Sequence, residues 1–331
     1  MMCVRFAIGM AEAGFFPSAL YHMSFWYKPS ELPQRVAVFY SVGQLSNALS
    51  GLLAYAIGFM DGLGGLPGWR WLFLLEGLPA IILSVIALIW LPDYPETAKM
   101  LNDEEREFFV QRFDKSAPRG TGHSWDARAI KILLKDPTFY TFTGYWVCHG
   151  VGGFGVNYAL PTVIYDLGFT TTSNSQLMNI PPYVSGFLFL NTLGFLLHRK
   201  IIRPWTTAVA VESTIMISYI ILFTVNDAVV RYLCLIVAVA CAGSAYPVIW
   251  PERIRALDGT VTAGVGIGWT NAMAQFSGIA GPHIYSTVFG PTYRASYGIC
   301  LAFLGTGITS ILITWVLVRR KDRICSAAEA E

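Results

Sequence analysis

Charge is scarce in this chain. Only 13% of its 331 residues are charged, against about 25% in a soluble domain. Net charge is +2, which excludes a basic nucleic-acid binder and implies no bulk electrostatic partner. Six cysteines are present, at Cys3, Cys148, Cys234, Cys241, Cys300 and Cys325. None falls in a C-x-x-C spacing and all but Cys325 lie in apolar stretches. That excludes a disulfide scaffold and reads as buried packing rather than metal or redox work. The sequence holds no Gly-rich phosphate loop, no H-E-x-x-H and no G-x-S-x-G. An enzyme and an ATP-driven pump are both excluded on this reading, and neither cofactor nor metal is expected. No signal-peptide pattern opens the chain.

Apolar residues are what the chain has, at 54%, with 31 Gly and 10 Trp. A helix needs about 20 apolar residues to cross the hydrocarbon core. Nine such stretches run roughly 5–25, 36–59, 71–91, 139–164, 176–197, 205–225, 232–250, 262–288 and 295–318. They hold four charged side chains, Arg5, Glu12, Glu76 and Glu212. The segregation follows from the cost of a charge in lipid, at least ~2.5 kcal/mol each. The fold class is therefore an all-α, multi-pass membrane protein with about nine transmembrane helices, with the lipid bilayer as its first partner.

Orientation follows from lysine and arginine. With the first residue outside, 19 of the 23 basic residues fall on inner segments. Arg5, Arg70, Arg231 and Arg294 fall outside or at the outer edge. The C-terminus is then expected in the cytoplasm. The organisation predicted is a three-helix bundle over 1–91, a cytoplasmic loop over 92–138, a six-helix bundle over 139–318 and a tail over 319–331. Within the loop, a charged helix opens at Asn102-Asp103-Glu104-Glu105, with Phe108, Phe109 and Phe113 as its apolar side. A second runs from Asp126 to Lys135. Both read as interfacial helices.

Nine spans are three triplets, and the triplets echo one another. Ala13-Gly14-Phe15-Phe16-Pro17 in the first span resembles Ala242-Gly243-Ser244-Ala245-Tyr246-Pro247 in the seventh. The fourth span carries Gly150, Gly152, Gly153 and Gly155 instead. Irregular backbone inside a membrane is tolerated where it packs on protein or lines a cavity. Three-helix repeats are a feature of secondary transporters.

Longer motifs sharpen this. Arg5-x-x-x-Gly9-x-x-Glu12-Ala13-Gly14-x-x-Pro17 resembles the fourth-helix motif of the major facilitator superfamily. Gly68-Trp69-Arg70-Trp71-Leu72-Phe73 with Glu76-Gly77 resembles the sixth helix of its fungal anion:cation symporters, the allantoate, nicotinate and pantothenate permease type. Leu91-Pro92-Asp93-x-Pro95-Glu96 resembles the start of that family's central loop. Leu160-Pro161-Thr162, Ile180-Pro181-Pro182-Tyr183 and Gly281-Pro282-x-Ile284-Tyr285 are similar to its seventh, eighth and eleventh helices. The resemblance implies a major facilitator-type bundle comprising helices 4–12 of a twelve-helix pattern, N-terminally truncated. Twelve spans at about 20 residues each, with this loop, need roughly 430 residues.

The resemblance also implies alternating access, with substrate near the midplane and coupling to protons. Arg5 and Glu12 are two turns apart and share a helix face. Ionisable residues inside a membrane mark functional sites. Arg5 is a candidate fixed charge and Glu12 a candidate proton carrier; a structural network is the alternative. His149, in a span expected to line the cavity, titrates near neutral pH or packs. Asn157 and Tyr158 on the same span are candidates for hydrogen bonds to a polar substrate. Gln44 and Asn47, and Asn271 and Gln275, form two polar stripes that either line the path or join helices. Tyr246, with Trp250, is a candidate cavity aromatic.

Structural or gating roles go to Arg70, Glu76, Gly194, His198 and Arg199. Arg70 is expected to anchor with Trp69 and Trp71 in the interface. Glu76 and Glu212 sit on supporting spans. Gly194-x-x-x-His198-Arg199 stands where the superfamily has Gly-x-x-x-Asp-Arg. Histidine cannot replace an always-ionised carboxylate near neutral pH. The function expected is secondary active transport, a proton-coupled uptake of a small organic anion such as a carboxylate, vitamin or ureide, in the plasma membrane. A non-transporting remnant or scaffold, and an uncoupled facilitator or exporter, are the alternatives. The sequence leaves the oligomeric state and the substrate open.

Overall fold

The computed structural model describes residues 2–112, 127–153, 155–158, 160–168, 177–257, 259–290 and 292–328. The described residues are helical throughout and hold no strand. Helix is forced wherever lipid is the solvent, because each backbone N–H and C=O must find its partner within the segment.

Four helices come first: α1 (Met2–Glu12), α2 (Phe15–Trp26), α3 (Leu32–Gly58) and α4 (Gly68–Trp90). Two short ones follow, α5 (Asp103–Gln111) and α6 (Ala127–Lys135). The rest are α7 (Pro137–Gly152), α8 (Leu160–Asp166), α9 (Ile180–His198), α10 (Pro204–Thr224), α11 (Ala228–Arg255), α12 (Thr260–Ala274), α13 (Phe276–Ile284) and α14 (Arg294–Ala328). Among the described residues, six helices are long and apolar enough to cross a membrane: α3, α4, α9, α10, α11 and α14. The other three expected spans, the first, fourth and eighth, are each divided.

Proline and glycine divide them. Pro17 has no N–H for the carbonyl of Ala13, so the first span breaks between α1 and α2. The fourth stops at Gly152, passes through a 3-10 turn at Gly155–Tyr158 and resumes at α8, whose second residue is Pro161. The eighth breaks at Gln275, ahead of Gly278, Gly281 and Pro282. The sequence pointed to irregular backbone in the first, fourth and seventh spans. The seventh, α11, instead runs unbroken through Pro247 and Pro251. Its residues from Ala238 to Ala245 are all buried among neighbours, and a close-packed helix tolerates the lost bond.

Packing is uneven. α7 lies along α14, α11 along α9 and α10, and α10 along α14. Helix α3 packs mainly on α9 and α11 rather than on its own sequence neighbours. Its buried stripe of Ala37, Ser41, Gln44 and Ala48 faces Gly186 and Gly194 of α9. Small residues bring such helices close. Helix α4 has no buried residue and meets α3. Helix α1 leans chiefly on α2.

Caps set the ends. The Asn102 side chain accepts from Glu105 N at 2.8 Å and the Glu105 carboxylate accepts from Asn102 N at 3.0 Å, a capping box that starts α5. Phe108 is exposed and Phe109 meets Trp26 edge-on at 5.7 Å, which docks α5 on α2. Phe113 and Asp126 of the expected loop helices lie outside the described residues. Helix α9 ends in a Schellman motif: Ile201 N donates to Leu196 O at 3.0 Å and Lys200 N to Leu197 O at 2.9 Å. Lys200 takes the left-handed φ of 57° that glycine usually supplies. Helix α14 continues past Arg319 into the segment expected as a tail.

The end of the bundle opposite the basic clusters is laced by polar contacts. Arg231 donates to Thr292 O at 2.7 Å, Arg294 to Asn226 Oδ1 at 3.1 Å, and the Tyr293 hydroxyl to Asp166 Oδ2 at 2.6 Å. Tyr293 is fully buried, with φ 51°. Burial, then the Asp166 carboxylate, pushes its phenol well above the usual range. A raised phenol favours the neutral form in the folded chain, so its stabilisation is present below about pH 10 and lost as pH rises further. Tyr293→Phe is expected to cost about 1.5–3 kcal/mol at neutral pH, the worth of a charge-assisted bond. It should also flatten the alkaline fall in Tm. Thermal unfolding from neutral pH to about pH 11 measures both.

Candidate functional site

The two divided spans of the later half face each other. A Cβ on Gly150 would lie 3.0 Å from Ala274 O, next to the break at Gln275, and 3.0 Å from Ser277 Cβ. A Cβ on Gly152 would lie 3.0 Å from Cys300 O. The glycines of α7 therefore serve close approach, and the break follows directly after them.

A pocket of about 510 Å³ lies beside α2 and α3, lined by Phe15, Phe16, Phe39, Tyr40, Gln44 and Asn47 among others. Its walls are aromatic and aliphatic, and its polar side chains are the Gln44 and Asn47 amides with the Ser46 and Tyr40 hydroxyls. Gln44 reaches between Gly186 and Gly243, where a Cβ on Gly243 would overlap its amide nitrogen. Its Oε1 is buried without a partner. A second cavity, of about 720 Å³, lies between α2 and the segment after α4 and reaches His22 and Asp93.

Rings join the first pocket to the later spans. Tyr40 stacks on Tyr246 at 3.8 Å, and Phe16 meets Tyr246 and Trp250 edge-on, each at 5.7 Å. Trp146 lies 4.9 Å from Tyr246 and stacks on Trp250 at 5.0 Å. The indole N–H groups of Trp146 and Trp250 are buried without acceptors. Below them Arg253, fully buried, lies over the rings of Phe139 and Phe142 at 5.4 and 5.2 Å.

Behind Trp146 sits a polar network. His149 meets it edge-on at 5.6 Å. His149 Nδ1 lies 2.6 Å from Glu212 Oε1, and both side chains are 1% exposed. Tyr145 donates its hydroxyl to the same oxygen at 2.8 Å. Tyr145 and His149 are four residues apart and share one face of α7. His149 Nε2 lies 3.1 Å from Ala242 O on α11. Three helices, α7, α10 and α11, thus meet at one buried carboxylate.

The sequence candidates are distributed as follows. Gln44 and Asn47 line the pocket, Tyr246 stacks on Tyr40 of its wall and His149 belongs to the network. Asn271 is buried and Gln275 stands at the break after α12. Asn157 is half-buried in the 3-10 turn, and the Tyr158 side chain lies outside the described ones. Arg5 and Glu12 are both exposed on α1 and line neither pocket, because α1 leans on one neighbour. Arg70 stacks over Trp69 at 5.3 Å, and Trp71 bonds Leu63 O at 3.1 Å. Glu76 is exposed on α4.

Gly194 packs on Ala37, with the Pro33 carbonyl nearby. His198 Nδ1 lies 3.4 Å from Ser30 O, and Arg199 stacks over Phe195 at 5.3 Å. Sequence reasoning set Glu212 aside as a supporting residue. Its signal was present, a lone carboxylate in an apolar span. Tyr145, Trp146, Tyr40 and Phe16 carried no signal beyond aromaticity.

Comparison with known proteins agrees with this architecture. Residues 1–282 match the family model of the Major Facilitator Superfamily. The MFS transporter prlL of a fungal species is 32% identical, over 85% of this chain and 57% of that protein. An uncharacterized transporter of Schizosaccharomyces pombe is 30% identical, over 97% of this chain and 64% of its own length. A relative from Agrobacterium vitis with tartrate in its name is 28% identical, over 97% of this chain and 70% of that protein. The chain spans about three-fifths of the length of the first two. Among solved structures, the E. coli fucose:proton symporter FucP aligns over 93% of both chains with a TM-score of 0.51 at 12% identity, a likeness of fold.

Proposed function

The chain belongs to the major facilitator superfamily, and from that premise we propose that it imports a small organic anion together with protons. The reading is of the anion:cation symporter type, with the C-terminus in the cytoplasm of a plasma-membrane protein. One observation carries it: a pocket with aromatic walls and amide groups from Gln44 and Asn47, whose Tyr40 stacks on Tyr246 of the late spans. Such a pocket suits a flat or short carboxylate, held by amide and hydroxyl donors. A tartrate-named relative supports a carboxylate class. With no ATP-binding motif in its sequence, the chain draws its energy from a gradient.

Uptake into proteoliposomes tests this directly. Labelled nicotinate, pantothenate, allantoate and tartrate are offered with and without an inward proton gradient. Accumulation of one of them, raised about tenfold by the gradient, is expected, a factor of ten corresponding to 1.4 kcal/mol. Uptake indifferent to the gradient makes the chain an uncoupled facilitator. No uptake of any of the four overturns the reading.

A further inference from the structure

We infer that the His149–Glu212 pair is the proton-binding site of this chain, and that Glu212 Oε2 is the atom that takes the transported proton. The inference rests on the symport reading for its role in coupling, and on the geometry alone for proton binding.

Hydrogen-bond chemistry fixes the proton count. The Ala242 carbonyl can only accept, so His149 Nε2 carries a hydrogen. The 2.6 Å contact between Nδ1 and Glu212 Oε1 needs one more hydrogen between them. Whichever atom holds it, the pair is neutral overall. Tyr145 already donates to Oε1. Oε2 has no partner in a side chain that is 1% exposed. A bare oxygen there is costly unless something binds it. Proton addition at Oε2 uses one lone pair, forms one O–H bond, breaks none and raises the pair to a net charge of +1. Release returns the same proton to the other side.

Among the described residues, Glu212 forms no ion pair with a lysine or arginine. Among the described residues, the titratable groups within electrostatic reach of Glu212 are Tyr145 and Cys148 on α7, Tyr219 on α10 and Cys241 on α11. Tyr246 on α11 acts on Tyr145. Tyr285 after α13, and Tyr297 and Cys300 on α14, stand behind Tyr219. The added charge therefore faces the pocket through Trp146 and Tyr246, where it would favour an anion. It also bears on the break in α7. Gly153 N donates to His149 O at 2.7 Å, and a Cβ on Gly153 would lie 3.1 Å from the imidazole. A ring that turns on loading would press on the point where the helix divides.

The test uses the full chain reconstituted in lipid. Infrared difference spectra between an acidic and an alkaline buffer are expected to show a protonated-carboxyl band at the low-pH end. The band should vanish in Glu212→Gln and persist in Glu12→Gln. The amide keeps an oxygen for Tyr145 and His149, so the variant should fold. In Glu212→Gln the ratio of gradient-driven uptake to gradient-free exchange should fall about tenfold, within the usual range of coupling between two sites. Absence of a Glu212-dependent band overturns proton binding whatever the uptake data show. A band in a chain that moves no anion keeps the proton site and overturns the symport reading. An unchanged ratio in Glu212→Gln overturns its coupling role.

Discussion

Glu212→Leu is expected to lower stability by about 3–5 kcal/mol, the loss typical when one partner of a buried pair is removed. The change would leave His149 Nδ1 and the Tyr145 hydroxyl facing leucine in a dry core, since both are hydrogen-bonded to the lost carboxylate. The size of the loss discriminates between two descriptions. Neutral hydrogen bonds between membrane helices average only about 0.6 kcal/mol, so two such bonds account for little more than 1. A loss near 4 identifies a charged pair. The double variant Glu212→Leu with His149→Leu should recover most of the loss, because apolar replacement of a whole buried pair is often neutral. Thermal unfolding of the four forms of this cycle in one detergent gives the coupling energy. Additive losses would show that the two side chains are not partners in the folded chain.

Gly194→Ala is expected to be the second severe change. Its new methyl would overlap the Ala37 Cβ and crowd the Pro33 carbonyl, neither of which can swing aside. Helix α9 would have to move off α3, at a cost of about 1–3 kcal/mol for overpacking. Gly243→Ala introduces the same methyl, but the atom it meets is the Gln44 amide, the end of a flexible side chain. That variant should lose clearly less stability, at the cost of the pocket's amide geometry. Ala37→Gly placed in the Gly194→Ala background should restore the unfolding temperature. If the two glycine variants unfold alike, or if Ala37→Gly fails to rescue, α3 does not seat on α9 in this register.

Much of the fold was legible because lipid imposes a simple rule. Charges cannot rest in hydrocarbon, so apolar stretches of sufficient length announced the spans. The divided spans were half legible. Pro17 and the glycines of α7 mark their own breaks, whereas the break at Gln275 comes ahead of the glycines and proline that follow it, Gly278, Gly281 and Pro282. Pro247 gave the opposite lesson, for tight burial holds α11 straight across it.

In the site, Gln44 and Asn47 were readable as a polar stripe on one helix face. The shared face of Arg5 and Glu12 was readable too, but spacing says nothing of what covers a face, and both are exposed. The link between His149 and Glu212 was not readable. They lie 63 positions apart on different helices, and their meeting depends on how α7 and α10 rotate against each other. That rotation is fixed by many apolar contacts, none of which names its partner in the sequence.

The join between early and late spans is built from two materials. At the basic end it is polar: Tyr21 with the Thr260 carbonyl, His198 with the Ser30 carbonyl. Beside the pocket it is ring against ring, with Tyr40 on Tyr246. Water competes for the first kind near the surface and barely touches the second. Solvent would therefore loosen this seam from one margin first, and the ring stack would be the last part of it to open.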